Sequence, residues 1–367
     1  MMIYNRFDLC AVLFISLSHE SKRMGLLFKA KSNLNILCVL DDFTASTLAL
    51  EPFVHLDFAR PNSLPAFYKK YDLLLVESAW LGHRNKWKHQ VAAYPAHHER
   101  NNKKLVKLVK WAKDRNIPTV FWNKEDPFHF DQFIDSAKLF DYIFTTDASI
   151  IDRYQSYCPN SKIAALTFPF QPRIHFPAPL EQITQSSSLF IGSYMRHMHT
   201  ARQQWQDMCF KAAAPIGLTV VDRHTHRAKT QIDYKFPVIE NINYKNSIPY
   251  TQTTALYHQH QQAINVNTIT DSPTMFSRRL IEIMACNRLV ISNTSLSIDH
   301  LFPDMCETIS NAAQATELFQ QLQYGYNSDQ IEKVHLARTH VFEHYTVKAW
   351  LKTLLTTCNI HHPFLDG

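Results

Sequence analysis

The stretch from Asn265 to Cys286 reads N-V-N-T-I-T-D-S-P-T-M-F-S-R-R-L-I-E-I-M-A-C and gathers the residue types that binding an anion requires. An apolar run ends in Asn267, a turn of Asp271, Ser272 and Pro273 follows, and a helix is predicted to begin near Thr274, with Pro273 suited to its first turn. A helix start offers unpaired backbone N–H groups and the positive end of a dipole to an anion, and Ser272 and Thr274 add hydroxyl donors. At about 100° per residue from Thr274, Arg278 falls near ~40° and Glu282 near ~80°, while Phe276, Leu280, Ile283 and Met284 fall between about 180° and 280°. One face is a core stripe. The opposite one aligns hydroxyl, guanidinium and carboxylate, which suits a nucleotide diphosphate: Thr274 and the helix start for phosphate oxygens, Arg278 or Arg279 for charge-assisted bonds, Glu282 for ribose hydroxyls. The same residues also describe a capped surface helix with an Arg and Glu pair at i, i+4.

The elements that must position this row are short apolar runs alternating with helical segments, the pattern of a parallel sheet with crossover helices. Strands are expected at Asn35 to Leu40, Asp72 to Glu77, Pro118 to Asn123, Tyr142 to Thr146 and Ile163 to Phe168. Helices are expected near Glu99 to Arg115, Asp131 to Lys138 and Ala148 to Tyr157. Four prolines between Phe168 and Pro179 (Pro169, Pro172, Pro177 and Pro179) cannot continue a helix or a central strand, so residues 169–188 read as a linker. The pattern then restarts, with strands at Leu189 to Ser193, Leu218 to Val221, Ala263 to Asn267 and Leu289 to Ser292. Helices are expected near Thr200 to Ala214, Thr251 to Gln261 and Thr274 to Cys286, then at Asn311 to Leu322 and from Asp329 to about Thr357. The expected domains are 34–168, 189–330 and a C-terminal helical segment 331–367, preceded by an extension over residues 1–33 that is a leader, a packed segment or the product of a start set too early.

Open parallel sheets bind ligands beyond the carboxyl ends of their strands. On the first domain those positions are Asp41, Asp42, Glu77, Lys124, Glu125, Asp126 and Asp147, an acidic and polar set. On the second they are Gly192, Ser193, Tyr194, Arg223 and Asn267, better suited to an anion.

Composition narrows how that anion is held. The chain has 367 residues and only 6 glycines, where roughly 7% is usual. They lie too far apart for a G-x-G-x-x-G fingerprint or a P-loop, so a phosphate would be held without a glycine cradle. Gly192, at a strand end, is the glycine placed beside the ligand. The formal charge of +6 is mild and does not call for nucleic acid. Seven scattered cysteines without a C-x-x-C pair suggest neither a disulfide framework nor a zinc site, and a reducing, cytoplasmic setting. The H-x-H pairs at His197/His199, His224/His226 and His258/His260 imply no third metal ligand, so no metal site is expected. Lysines of the Lys103 to Lys113 segment gather on one helical face, which either is solvated or rests on an anionic bilayer at the inner face of a membrane.

The 265–286 stretch resembles the C-terminal half of glycosyltransferases related to the spore maturation protein CgeB. So do Val76 to Trp80 (V-E-S-A-W), Phe121 to Pro127 (F-W-N-K-E-D-P), Phe140 to Asp147 (F-D-Y-I-F-T-T-D) and Phe190 to Tyr194 (F-I-G-S-Y). The resemblance runs from about Asn33 to Trp350 and implies an α/β GT-B fold, two Rossmann-like domains facing across a cleft. It implies a nucleotide-sugar donor, a UDP-sugar foremost, on the C-terminal domain at Ser193, Tyr194, Ser272, Thr274, Arg278, Arg279 and Glu282, to which the strand-end positions Gly192, Arg223 and Asn267 are added. It implies a glycan or lipid-linked acceptor on the N-terminal domain, and no metal or other cofactor; the chain has no D-x-D motif. An inverting reaction needs a base, for which Asp42, Glu125, Asp126, Glu77 and Asp41 are the candidates, Asp42 and Glu125 foremost. Two departures stand out. The E-x7-E pair of many retaining GT-B enzymes would place its first glutamate at Thr274, and Asn287 stands where glycine commonly ends the helix. A non-catalytic sugar-binding protein and a sugar-nucleotide epimerase of the same fold are the competing readings, and surface polysaccharide synthesis is the expected setting.

Overall fold

The computed structural model describes residues 33–94, 96–225 and 232–363, so nearly all of the predicted N-terminal extension, and His226, lie outside the described residues. Two six-stranded sheets, each with all its described pairings parallel, form two domains. The first orders its strands β2-β1-β3-β4-β5-β6: β1 Leu34–Val39, β2 Val54–Phe58, β3 Leu73–Glu77, β4 Thr119–Asn123, β5 Tyr142–Thr145 and β6 Lys162–Ala165. The second orders them β12-β11-β10-β7-β8-β9: β7 Gln185–Gly192, β8 Leu218–Asp222, β9 Ile242–Lys245, β10 His260–Ile264, β11 Leu289–Asn293 and β12 Glu307–Ile309. Both are doubly wound, with a change of direction beside β1 in one and beside β7 in the other.

Alternation along the strands builds a core on each face. Leu37, Val39, Leu74, Val76, Phe121 and Ile143 face the layer that holds helix α2 (Lys103–Lys113) and helix α3 (Phe130–Ala137). Ile36, Cys38, Leu73, Leu75, Trp122 and Phe144 face the other way, with Ala45 and Leu48 of helix α1 (Asp42–Leu48). A second helix covering that face comes from the far end of the chain. Val347, Trp350, Leu351 and Leu354 of the last helix, Val347–Thr357, join the first domain's core, so the expected C-terminal helical segment divides: Ser328–His344 packs on the second domain and Val347–Thr357 crosses back. Backbone bonds from Phe170 N to Tyr345 O (2.8 Å) and from Val347 N to Phe170 O (3.0 Å) fasten that crossing to the outgoing chain.

The strand expected to open the second domain at Leu189 begins at Gln185, inside the expected linker. The strands missing from the sequence reading, β2, β9 and β12, are all sheet edges, where one side is open and apolar runs are short. Asn287 adopts a φ of 60°, the left-handed conformation that closes the preceding helix in place of glycine. The basic face of α2 is outward, with Lys110 paired to Asp114 and Lys113 to Asp141, while Leu105, Leu108, Val109 and Ala112 are buried. The described cysteines are free and buried. Among the described residues no helix is long and apolar enough to cross a membrane.

Trp350 sits at the centre of the return crossing: 4% exposed, its ring 5.0 Å from that of Trp122, its indole N–H donating to Thr167 O at 3.1 Å. Trp350→Ala should lower the unfolding free energy by about 3 to 5 kcal/mol in urea; a loss below about 1 kcal/mol would show that the crossing does not hold the domains.

Candidate active site

A cavity of about 660 Å³ lies where the carboxyl ends of the two sheets face one another. The first domain contributes Phe43, just after β1, and Lys124 and Glu125, just after β4. The second contributes Ser193 after β7, Arg223 after β8, Asn267 after β10, and Arg278, Arg279 and Glu282 from the helix Arg278–Ala285.

The cations on the second domain's wall have no carboxylate within ion-pair distance among the described residues. Among the described residues neither Arg202, Arg223, Arg278 nor Arg279 forms an ion pair with a carboxylate, although arginines elsewhere in the chain do. Burial first, then Arg279 and Arg223, pull the Arg202 guanidinium down to about 10. Arg279 is likewise brought to about 10 by burial and by Arg223, with Tyr257 and Glu282 opposing. Backbone oxygens aim the groups: Arg279 Nε donates to Ile191 O at 2.6 Å and Arg202 Nη2 to Ser193 O at 3.0 Å. Arg279 Nη1 and Arg202 Nε are buried without a partner. Guanidiniums that raise each other's energy and retain unused donors are suited to an anion.

Asn267 shapes the helix that carries two of these arginines. Its side-chain oxygen accepts from Ser277 N at 2.8 Å, at the helix start, and its amide donates to Ser295 Oγ at 3.0 Å. One turn into that helix, Glu282 accepts from Tyr250 OH at 2.7 Å. Arg278 lies 4.0 Å from the ring centre of Phe43, and Phe43 lies 4.3 Å from Tyr250, so one aromatic and cationic stack joins the two walls.

On the opposing wall Glu77 is fully buried. It accepts from Asp41 N (2.6 Å), Thr44 Oγ1 (2.7 Å) and Lys124 Nζ (2.9 Å). Burial opposes the Lys124 charge, but Glu77, Asp41 and Glu125 outweigh it and raise its pKa. Glu125 reaches the cavity, and burial raises its carboxyl above the usual range against Lys124 and a hydrogen bond from Trp80.

Several expected residues stand elsewhere. The helix begins at Arg278, not near Thr274, because the preceding hydroxyls hold the other domain: Ser272 Oγ donates to Asp147 Oδ1 (2.5 Å), Thr274 Oγ1 donates to Thr146 O (3.0 Å) and accepts from Ala148 N (2.8 Å). Both are interdomain fasteners and do not line the cavity. Tyr194 is buried with its hydroxyl on Asp207. Gly192 lies behind the wall, where an added Cβ would come within 2.7 Å of Arg279 Nη2. Asp42 is exposed, accepting from Arg84 N with its carboxylate beside His83, and so is turned from the cavity. Asp126 is buried among Asn123, Thr145 and Tyr154, and Glu77 is spent on Lys124 and Thr44; neither lines the cavity. Asp41 pairs with Lys124 at 3.1 Å, and of the five carboxylates considered as bases Glu125 alone lines this cavity.

Arg202 and Tyr250 escaped the sequence reading. Arg202 occupies the first turn of helix Thr200–Ala213, which follows the first strand of its domain, and that position was the available signal. Tyr250 follows β9, an edge strand the pattern does not reveal. Of the H-x-H pairs, His258 bonds Phe176 O and His260 bonds Leu256 O, and no three His, Cys, Asp or Glu side chains among the described residues group to hold a metal.

Residues 197–356 match the family model described as glycosyl transferase-like. No curated protein matches the chain. Among solved structures it is similar to an α-glucosyltransferase in complex with UDP-glucose and DNA containing an abasic site (TM-score 0.58, 10% identity, 89% of this chain and 100% of that chain). It is also similar to HepE from Anabaena in complex with UDP and glucose (TM-score 0.53, 10% identity, 89% and 100%). A third is a UDP-forming α,α-trehalose-phosphate synthase from Burkholderia xenovorans (TM-score 0.55, 10% identity, 89% and 99%). At such identities the likeness concerns the fold, which is GT-B. With the match over the second domain, it points to the glycosyltransferases of the GT-B type as the class that the chain resembles.

The Asp126 carboxyl gives a pH signature. Burial, with Asp147 adding to it, raises the group from 3.8 to about 7 against hydrogen bonds from Thr145 and Tyr154. Between those values the folded chain keeps a proton that the unfolded chain has released, so this contribution to stability falls as pH rises from about 4 to 7 and is level above. Asp126→Asn should flatten that decline in the urea midpoint; an unchanged slope would show that Asp126 does not titrate there.

Proposed function

We propose that the protein transfers a sugar from a UDP-sugar to a hydroxyl of a glycan or lipid-linked acceptor, without a metal ion, in the synthesis of a bacterial surface polysaccharide. The quoted motifs support a place among the CgeB-related members of the class. The observation that carries the donor half is the set of unpaired guanidiniums, Arg202, Arg223 and Arg279, around one end of the cleft. Breaking the anomeric C–O bond leaves negative charge on the departing diphosphate, and fixed cations in a water-poor wall stabilise it where it develops. These groups occupy the role a divalent ion would otherwise fill. Glu282, held by Tyr250, is suited to accept from ribose hydroxyls one helical turn away.

On the acceptor side Glu125 takes the proton of the attacking hydroxyl. Its raised pKa suits a general base, and Lys124 beside it favours the carboxylate form. Peripheral contact with an anionic membrane is supported by the outward lysines of α2, and agrees with a lipid-linked acceptor at the cytoplasmic face. Nucleic acid has no part in this reading.

Thermal-shift titration with UDP-, GDP-, CMP- and dTDP-sugars tests the donor half. UDP-sugars should raise the unfolding midpoint by mass action, by about 2.7 kcal/mol of stabilisation at a hundredfold excess over Kd. Arg279→Met should weaken that binding about tenfold or more, the loss of charge-assisted bonds. No response to any nucleotide sugar, or an undiminished response in Arg279→Met, would overturn it; transfer to DNA in an acceptor screen would overturn the acceptor half.

A further inference from the structure

A second cavity, of about 430 Å³, opens at the carboxyl ends of β10, β11 and β12 and shares Arg202, Asn267 and Thr268 with the cleft. Its volume lies within the roughly 300 to 1,000 Å³ of small-molecule sites. Its chemistry differs from that of the cleft. Only one guanidinium, Arg202, and one carboxylate, Asp299, reach it, so it presents no surplus of charge to an anion.

The rest of the lining is hydroxyl and amide. Asn293 and Ser295 are committed to the Asn267 network: Asn293 Nδ2 donates to Asn267 O at 3.0 Å, and Ser295 Oγ accepts from Asn267 Nδ2 at 3.0 Å. They make a fixed floor. The side chains of Thr268, Thr270, Thr294, Asp299 and Ser310, in contrast, bond no described residue, and all but Thr268 are exposed at the mouth, where a ligand would displace only water. Four hydroxyls that can each donate or accept, with one carboxylate that accepts, converge on one space. The wall also includes Trp205, held by its indole N–H on Ile309 O at 2.7 Å, a rigid aromatic surface beside these polar groups.

We propose that this cavity binds a neutral saccharide unit of the acceptor glycan beyond the reacting one, whose hydroxyl meets Glu125 on the first domain, so that the glycan reaches from that domain onto the second. A ring that carries many hydroxyls and no charge matches unspent hydroxyls, a lone carboxylate and an aromatic wall; a phosphate would meet Asp299 with only Arg202 to offset it. The acceptor role rests on the proposed transferase activity. The cavity's preference for a neutral saccharide does not.

Saturation-transfer NMR on the full chain tests it, with glucose, maltotriose and cellotriose as probes, each with and without saturating UDP. Thr294→Trp fills the cavity from an exposed position, and Asp299→Asn removes the carboxylate from another. At least one trisaccharide should bind in the presence of UDP. Its affinity should drop about tenfold in Thr294→Trp, with UDP affinity unchanged within about twofold. Stronger binding of a trisaccharide than of glucose would support a glycan chain as the occupant, and equal binding would overturn that assignment. No signal from any probe, displacement by UDP, or undiminished binding in both variants would overturn the site itself. A wild-type chain that binds a trisaccharide but no UDP would instead contradict the donor reading and leave the saccharide site standing.

Discussion

Guanidinium groups gathered without ion-pair partners raise one another's free energy, and a fold that gathers them must constrain them by other means. Here the constraint is backbone carbonyl. Ile191 O and Ser193 O, at the end of β7, hold Arg279 and Arg202, and the absence of a side chain at Gly192 leaves room for the Arg279 terminus. The end of one central strand therefore sets the spacing of two cations, and Asn267 at the end of the neighbouring strand β10 sets the start of the helix that carries Arg278 and Arg279. A glycine-poor chain can offer cations to an anion in this way, with side chains in place of the backbone cradle that a glycine-rich loop would supply.

The cleft needs both walls held in register, and the chain achieves this with few contacts of different kinds. Ser272 and Thr274 bond residues 146–148 of the first domain, Gln171 bonds Thr47 O, and the final helix returns to complete the first domain's core. The stack of Phe43, Arg278 and Tyr250 closes the same gap from within. These fasteners sit beside the cavity, so changes in domain spacing are felt directly by Arg278 and Glu282. The polarity of the walls differs accordingly: surplus positive charge on the second domain, and on the first a lysine already neutralised by Glu77 and Asp41, with Glu125 left to face the cavity.

Much of the architecture was legible in the sequence because interior strands of parallel sheets are continuous apolar runs, and all eight interior strands were found on that basis, together with the edge strand β6. The other three edge strands were not, since a half-exposed strand of three to five residues offers little such run. Within the site, Arg278, Arg279 and Glu282 followed from helical spacing, because the opposing stripe of Leu280, Ile283 and Met284 fixed which way the helix turned. The hydroxyls were misjudged. A serine or threonine before a helix can meet a ligand or a neighbouring domain, and local sequence does not distinguish the two. Carboxylates after first-domain strands were ambiguous for a similar reason: Glu77 and Asp126 found their partners at Lys124, Thr44, Thr145 and Tyr154, residues distant in sequence or assigned no role.

If the arginine cluster exists to hold a diphosphate, affinity must depend on phosphate charge more than on the nucleoside. Calorimetric titration with UDP, UMP and uridine at two salt concentrations measures this directly. The structure predicts that affinity falls by about tenfold or more with each phosphate removed, and that salt weakens UDP binding most. Uridine binding as tightly as UDP, with no dependence on salt, would contradict the assignment of the cluster to the diphosphate.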